Sequence, residues 1–127
     1  MDWVSHAIEA FGQQLGIPGL ALDDDGCALF MLEAGGSLCV QDLEPAGGNE
    51  VLIMVAKPLP PPQAASARRA LLMADFRANP SWDTQLALHG PDLAVTLRMP
   101  RHSFMLSALE DAVEWLFNFH ARVEQLQ

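Results

Sequence analysis

The first fifteen residues carry an amphipathic pattern. Apolar residues recur there at three- and four-residue spacing: Trp3, Val4, Ala7, Ile8, Phe11 and Leu15. This period places them on one face of an α-helix, and Asp2 ahead of them is an acceptable N-cap. Gly16, Pro18 and Gly19 then interrupt the helix. The segment therefore predicts a first helix that ends before residue 19.

Two apolar runs follow, at residues 27–33 and 37–43, with glycines between them. Glycine supplies the positive φ that tight hairpin turns require, so we expect a hairpin with Gly35 and Gly36 as its two loop residues. In that register one face carries Leu29, Met31, Leu38 and Val40. The other face carries Phe30, Leu32, Cys39 and Leu43. Both faces of the predicted hairpin are apolar.

The third apolar run, at residues 51–56, has no polar face at all. Antiparallel sheets usually keep one face wet and alternate accordingly, so an apolar pattern on both faces predicts a sheet that is covered twice. The layer that covers the second face can come from another chain.

The second half of the chain predicts further helices and strands. Residues 57–62 hold four prolines and predict a stiff connector that cannot continue a strand ladder. A helix is expected over residues 63–78 and strands over residues 84–89 and 93–99. Ser103 then caps a long terminal helix. The order predicts a single α+β domain over residues 1–127: helix, three-strand antiparallel meander, helix, two strands, helix.

The composition is acidic and apolar at the same time. Sixteen acidic residues against seven basic ones give a formal charge of -9, and half of the residues are hydrophobic. The charge argues against nucleic acid as a partner, and the apolar content argues against a disordered chain. There is no apolar run long enough to cross a bilayer and no secretory signal, so we expect a cytoplasmic protein without membrane insertion.

No catalytic or metal-binding pattern passes a spacing test. Residues 23–26 read Asp-Asp-Asp-Gly, but a calcium loop aligned on that glycine would have Ala21 and Leu32 at its end ligands. The four histidines are scattered, and neither a nucleophile elbow nor a phosphate-binding loop is present. Cys27 and Cys39 form no Cys-x-x-Cys motif and are expected to be reduced, small apolar residues. The sequence therefore predicts no cofactor, no metal and no enzyme.

The element order, together with several short stretches, resembles the class I type III secretion chaperones of bacteria, the Tir chaperone family. The stretches are residues 15–18 after the first helix, 22–26 before the first strand, 71–74 in the middle helix, 86–88 and 93–100 in the last strands, and the helix from Ser103 with Trp115 and Phe117. Their combination carries the resemblance, which covers nearly the whole chain. The sequence departs from the family pattern at Asp75-Phe76 and in its proline tract.

The resemblance implies a homodimer without enzymatic activity. Such a protein would bind the N-terminal region of a secreted effector, keep it soluble and export-competent, and deliver it to the secretion apparatus, with the secretion ATPase as a further partner. The implied dimer interface lies near Leu71, Leu72, Phe76, Leu86 and Leu88. The implied effector-binding residues are Ile8, Phe11, Leu29, Met31, Leu38, Val40, Val51 and Ile53.

Two questions stay open at the level of sequence. The same strand residues equally suit a hydrophobic core, because one face of any such sheet must pack inward. A small-molecule-binding or enzymatic α+β domain with an apolar pocket, or a dimeric adaptor for folded partners, would also account for the composition.

Overall fold

The computed structural model describes residues 3–17, 19–32, 35–73 and 84–125. Its helices are α1 (Trp3–Gln14), α2 (Gln63–Met73) and α3 (Leu106–Gln125). Its strands are β1 (Cys27–Met31), β2 (Ser37–Asp42), β3 (Glu50–Pro58), β4 (Thr84–His89) and β5 (Asp92–Pro100). Short 3-10 helices lie at Glu44–Ala46 and Arg101–Ser103. This order confirms the predicted α+β class.

The five strands form one antiparallel sheet in the order β1-β2-β3-β5-β4. β1 and β4 are therefore its edges. α3 lies against β3 and β5, and α1 lies against α3. Strand alternation sends every second residue of β3 inward, so Val51, Ile53 and Val55 are fully buried. The core thus sits between the helices and one face of the sheet.

The hairpin register differs from the prediction by three residues. Met31 pairs with Ser37 and Leu29 pairs with Cys39, which leaves residues 32–36 as the connection. An odd shift moves a whole set of side chains to the other face. Leu29 and Met31 therefore lie on one face of the hairpin, and Leu38 and Val40 lie on the other. The prediction that these four residues share a face was wrong.

The reason for the shift lies at Gly36. Its φ is 95°, and a Cβ at this position would collide with the carbonyl oxygen of Ala56 in β3. Gly36 is therefore needed for close approach to the neighbouring strand rather than as a residue of a two-residue loop. The connection is longer than the predicted two-residue loop, and the N–H group of Leu32 donates to the carbonyl oxygen of Gly36 at 3.0 Å to close it.

β3 is also longer than expected. The strand continues through Lys57 to Pro58, which pairs with Asp92 at the end of the ladder, so the prediction that the proline tract begins outside the sheet was wrong there. Proline is tolerated at such a terminal position because little of the ladder remains for it to interrupt. The predicted continuation of α2 to residue 78 lies outside the described residues.

A polar cluster ties the first helix to the sheet. Arg101 Nε and Nη2 donate to the two carboxylate oxygens of Asp42 at 2.8 and 3.0 Å, and the guanidinium carbon lies 4.7 Å from the centre of the Trp3 ring. The Trp3 indole N–H donates to the carbonyl oxygen of Arg101 at 2.8 Å. The start of α1 is therefore anchored to the connection between β5 and α3.

Candidate partner-binding surfaces

An apolar groove of about 440 Å³ opens between the end of α1, strand β1 and α3. We call it the α1–β1 groove. Its lining includes Phe11, Leu15, Phe30, Met31, Leu38 and Phe117. None of these side chains carries a charge, so the groove favours an apolar occupant over a polar one.

Local structure explains how the groove forms. α1 ends at Gln14, and Gly16 with a φ of 75° turns the chain away, which leaves Leu15 half exposed at the rim. Met31, the last residue of β1, is 73% exposed on the opposite rim. Phe11 and Leu38 are almost completely buried and form part of the floor. The rim can therefore contact a partner while the floor remains part of the core.

A second apolar surface lies between α2 and the edge strand β4. It surrounds a smaller depression of about 140 Å³, lined by Ala67, Leu71, Leu86, Ala87, Leu88 and Leu93. Leu71 and Leu88 are exposed to 65% and 60% in spite of their size. Leu72, the neighbour of Leu71 in α2, is equally exposed. We call this surface the α2–β4 patch.

The structure places most of the predicted effector-binding residues in the core. Six of them are no more than 5% exposed: Ile8, Phe11, Leu38, Val40, Val51 and Ile53. Strand alternation and the cover of α1 and α3 turn them inward, so the expectation that they face a partner was wrong. Leu29 and Met31 are exposed, and Phe11 and Leu38 reach the groove only as its floor.

The predicted dimer residues are placed differently. Leu71 and Leu88 are exposed and Leu86 is half-buried, and all three line the α2–β4 patch. Leu72 is exposed beside Leu71 in α2. Phe76 lies outside the described residues. The structure therefore brings Leu71, Leu86 and Leu88 together on one surface.

Sequence reasoning missed Leu15 and Phe30 as parts of one site. Both sit beside an interruption of regular structure, Leu15 before Gly16 and Phe30 near the end of β1. Such rim residues share one feature in the sequence: each is apolar and lies where a helix or strand ends and the chain changes direction. Which two ends meet depends on tertiary packing and has no local signature.

The side of the sheet turned away from the core carries the two cysteines. The Sγ atoms of Cys27 and Cys39 lie 3.3 Å apart, and both residues are half-buried free thiols. Burial is the main reason why the pKa of Cys39 is raised to about 12, and its hydrogen bond with Cys27 adds to the rise. Leu29 lies directly opposite Cys39.

Among the described residues, no group of three or more histidine, cysteine, aspartate or glutamate side chains is placed to hold a metal ion. None of the helices described above is long and apolar enough to cross a membrane.

No protein-family model and no curated protein matches the chain. Solved structures do match. A chain from the structure of the Yersinia pestis type III secretion chaperone SycH in complex with a stable fragment of YscM2 aligns over 98% of this chain and 99% of its own, with a TM-score of 0.69 and 13% identity. The protein has the fold of the type III secretion chaperones.

Two further structures share this fold. A chain of the ExsC–ExsE complex aligns over 99% of this chain and 96% of its own, with a TM-score of 0.71 and 14% identity. A chain of the HopA1–SchA chaperone–effector complex aligns over 91% of both chains, with a TM-score of 0.64 and 16% identity. The likeness extends over nearly the whole chain and confirms, at the level of fold, the resemblance seen in the sequence.

Proposed function

We propose that this protein is a homodimeric type III secretion chaperone of the bacterial cytoplasm. It binds the N-terminal region of a secreted effector, keeps that region soluble and export-competent, and delivers it to the secretion apparatus without a cofactor or turnover. The observation that carries this proposal is the grouping of exposed apolar side chains. Of the eight large hydrophobic residues exposed in the described structure, Leu15 and Met31 border the α1–β1 groove, and Leu71 and Leu88 line the α2–β4 patch. Leu72 is exposed beside Leu71 in α2.

The α1–β1 groove suits a segment of unfolded chain. Its rim is apolar on both sides, and among the strands that the structure describes, none pairs with the outer side of the neighbouring edge strand β1. An extended client can place apolar side chains in the groove and pair its backbone with such an edge, because backbone hydrogen bonds do not depend on sequence. Burying one large apolar side chain contributes about 1.5–3 kcal/mol, so a few contacts are enough for capture.

The α2–β4 patch suits a second copy of the chain. Leu71 and Leu72 project from α2, and Leu88 projects from the edge strand beside it. A two-fold dimer presents the same surface from both chains, so one apolar patch can cover its copy. Dimerisation would remove all three leucines from water.

The acidic charge supports this division of surfaces. Each chain has a formal net charge of -9, so chains repel one another electrostatically. This repulsion keeps a protein with exposed leucines soluble, and only contact between complementary apolar surfaces overcomes it. Since none of the described residues that line either surface is charged, client binding should depend weakly on salt.

The proposal is tested by co-expression with a candidate type III effector from the same bacterium. The N-terminal fragment of that effector should be co-purified with the wild-type protein. Leu15→Asp combined with Met31→Asp should abolish co-purification, because both rims of the groove would then carry charge.

The matched control is Gln14→Asp, which adds a charge at an exposed position beside Leu15 on α1. It should retain the effector fragment. Equal retention by the double variant and the control would refute the assignment of the groove. Recovery of a bound small molecule by native mass spectrometry, with no effector fragment, would refute the chaperone proposal.

A further inference from the structure

The two thiols of this chain meet across the β1–β2 hairpin. Cys27 is the first residue of β1 and pairs with Gln41, whereas Cys39 in β2 pairs with Leu29. The cysteines are therefore diagonal neighbours on one face, and their Sγ atoms are 3.3 Å apart. Both are half-buried, so a small reagent can reach them from the open side of the sheet.

We propose that Cys27 and Cys39 are a thiol–disulfide modification site, which closes an intramolecular bond between β1 and β2 when a small disulfide such as oxidised glutathione is present. The site uses only residues of this chain. A disulfide needs an S–S distance of about 2.05 Å, so the sulfur atoms must approach by roughly 1.2 Å. Side-chain rotation accounts for a movement of this size more readily than a change of strand pairing.

The chemistry balances with one molecule of oxidant. The Cys27 thiolate attacks one sulfur of glutathione disulfide, the bond between the two glutathione sulfurs breaks, and one glutathione leaves as a thiolate. Cys39 then loses its proton to solvent and attacks the sulfur of Cys27, and the second glutathione leaves. Two protein thiols are oxidised by two electrons, and the oxidant is reduced to two thiols.

The surroundings of Cys39 set the order of these steps. Burial is the main reason why the pKa of Cys39 is raised to about 12, and the hydrogen bond and the charge of Cys27 add to the rise, so the Cys39 thiol stays protonated near neutral pH. The thiolate is the nucleophile in exchange, and Cys27 therefore reacts first. Its charge and hydrogen bond are lost in the mixed disulfide, which makes Cys39 easier to deprotonate for the second step.

The new bond would restrain the edge strand. β1 carries Leu29 on the face of the cysteines and ends in Met31 at the rim of the α1–β1 groove. Oxidation would tie this strand to β2 and limit its adjustment to a client. This consequence rests on the proposed function, whereas the existence of the site does not.

The test treats the full-length native protein with buffers of fixed oxidised-to-reduced glutathione ratio. Intact mass should fall by two hydrogens. Cleavage after Glu33 separates the two cysteines in sequence, so the peptides that contain them should stay joined until a reductant is added. The ratio of closed to open protein should be at least about ten-fold higher under native conditions than in urea, because the fold holds the thiols together.

The single variants give matched controls. Cys39→Ser should stop at a glutathione adduct on Cys27, and Cys27→Ser should leave Cys39 largely unmodified. A wild-type protein that accumulates the adduct, links to a second chain, or closes equally well in urea would overturn the proposal. None of these outcomes depends on whether the protein binds an effector.

Discussion

The Nε2 atom of His120 lies 2.8 Å from the carbonyl oxygen of Val55, which joins α3 to the central strand β3. A carbonyl oxygen only accepts hydrogen bonds, so Nε2 carries the proton of the neutral ring. The residue is 3% exposed, and burial lowers its pKa from the ordinary value of 6.5. The charge of Lys57 lowers it further, while the bond to Val55 and the carboxylate of Glu124 act in the opposite direction.

The first prediction is a loss of stability in mildly acidic solution. Below about pH 6.5 the unfolded chain binds a proton at His120 that the folded protein resists, so the free energy of unfolding should fall as the pH is lowered from that value. Urea unfolding at about pH 7.5 and about pH 5.5 measures the change. His120→Gln keeps a donor for Val55 and cannot titrate. Its pH dependence should be smaller, and an unchanged dependence would contradict this role of His120.

The second prediction concerns the ion pair of Arg101 and Asp42. Both side chains are largely buried and joined by two hydrogen bonds, so Arg101→Leu leaves an uncompensated carboxylate and should cost about 3–5 kcal/mol of unfolding free energy. The matched control is Arg98→Leu, which removes a looser pair with Glu50 at 3.9 Å on the surface. It should cost no more than about 1 kcal/mol. Similar losses in urea unfolding would rule out a special role for Arg101.

The third prediction tests the dimer. Light scattering should give the wild-type protein twice the 13.8 kDa mass of one chain, and Leu88→Asp should reduce it to one chain because the charge enters the α2–β4 patch. Gln85→Asp places the same charge on the same strand but on its other face, and should leave the mass unchanged. The proposed interface would be refuted if the wild-type protein were a monomer or if the Leu88→Asp variant remained a dimer.

The fourth prediction separates core from surface on the β1–β2 hairpin. Val40 is 4% exposed and Met31 is 73% exposed. Val40→Asp should unfold the protein, since a buried unpaired charge costs several kcal/mol. Met31→Asp should leave the melting temperature nearly unchanged. Circular dichroism during heating checks both, and a folded Val40→Asp protein would mean that this side of the hairpin is not core.

The hairpin shows why part of the candidate site could not be predicted. Alternation within each strand is local, and it divides the side chains of each strand into two sets without showing which sets share a face. The register also involves contacts with β3, where Gly36 packs against Ala56, a residue twenty positions later in the chain. No local pattern contains that contact, and so the faces of Leu29 and Leu38 were assigned together although they are opposite.

The predicted dimer residues were assigned in a different way. Leu71 and Leu88 were assigned from the resemblance to a family, and their role in a dimer stays a prediction. Their exposure and their closeness across the α2–β4 patch are properties of the folded chain.

The sequence by itself determined the order and type of the elements, because helical and strand periods and the glycine and proline breaks are local. It also determined the composition, in which a high content of apolar residues is combined with a strongly negative net charge. Only the tertiary structure decided which apolar residues are core, which meet in the α1–β1 groove, and that Cys27 lies beside Cys39. These depend on register and on helix placement, and both are set by contacts between residues far apart in the chain.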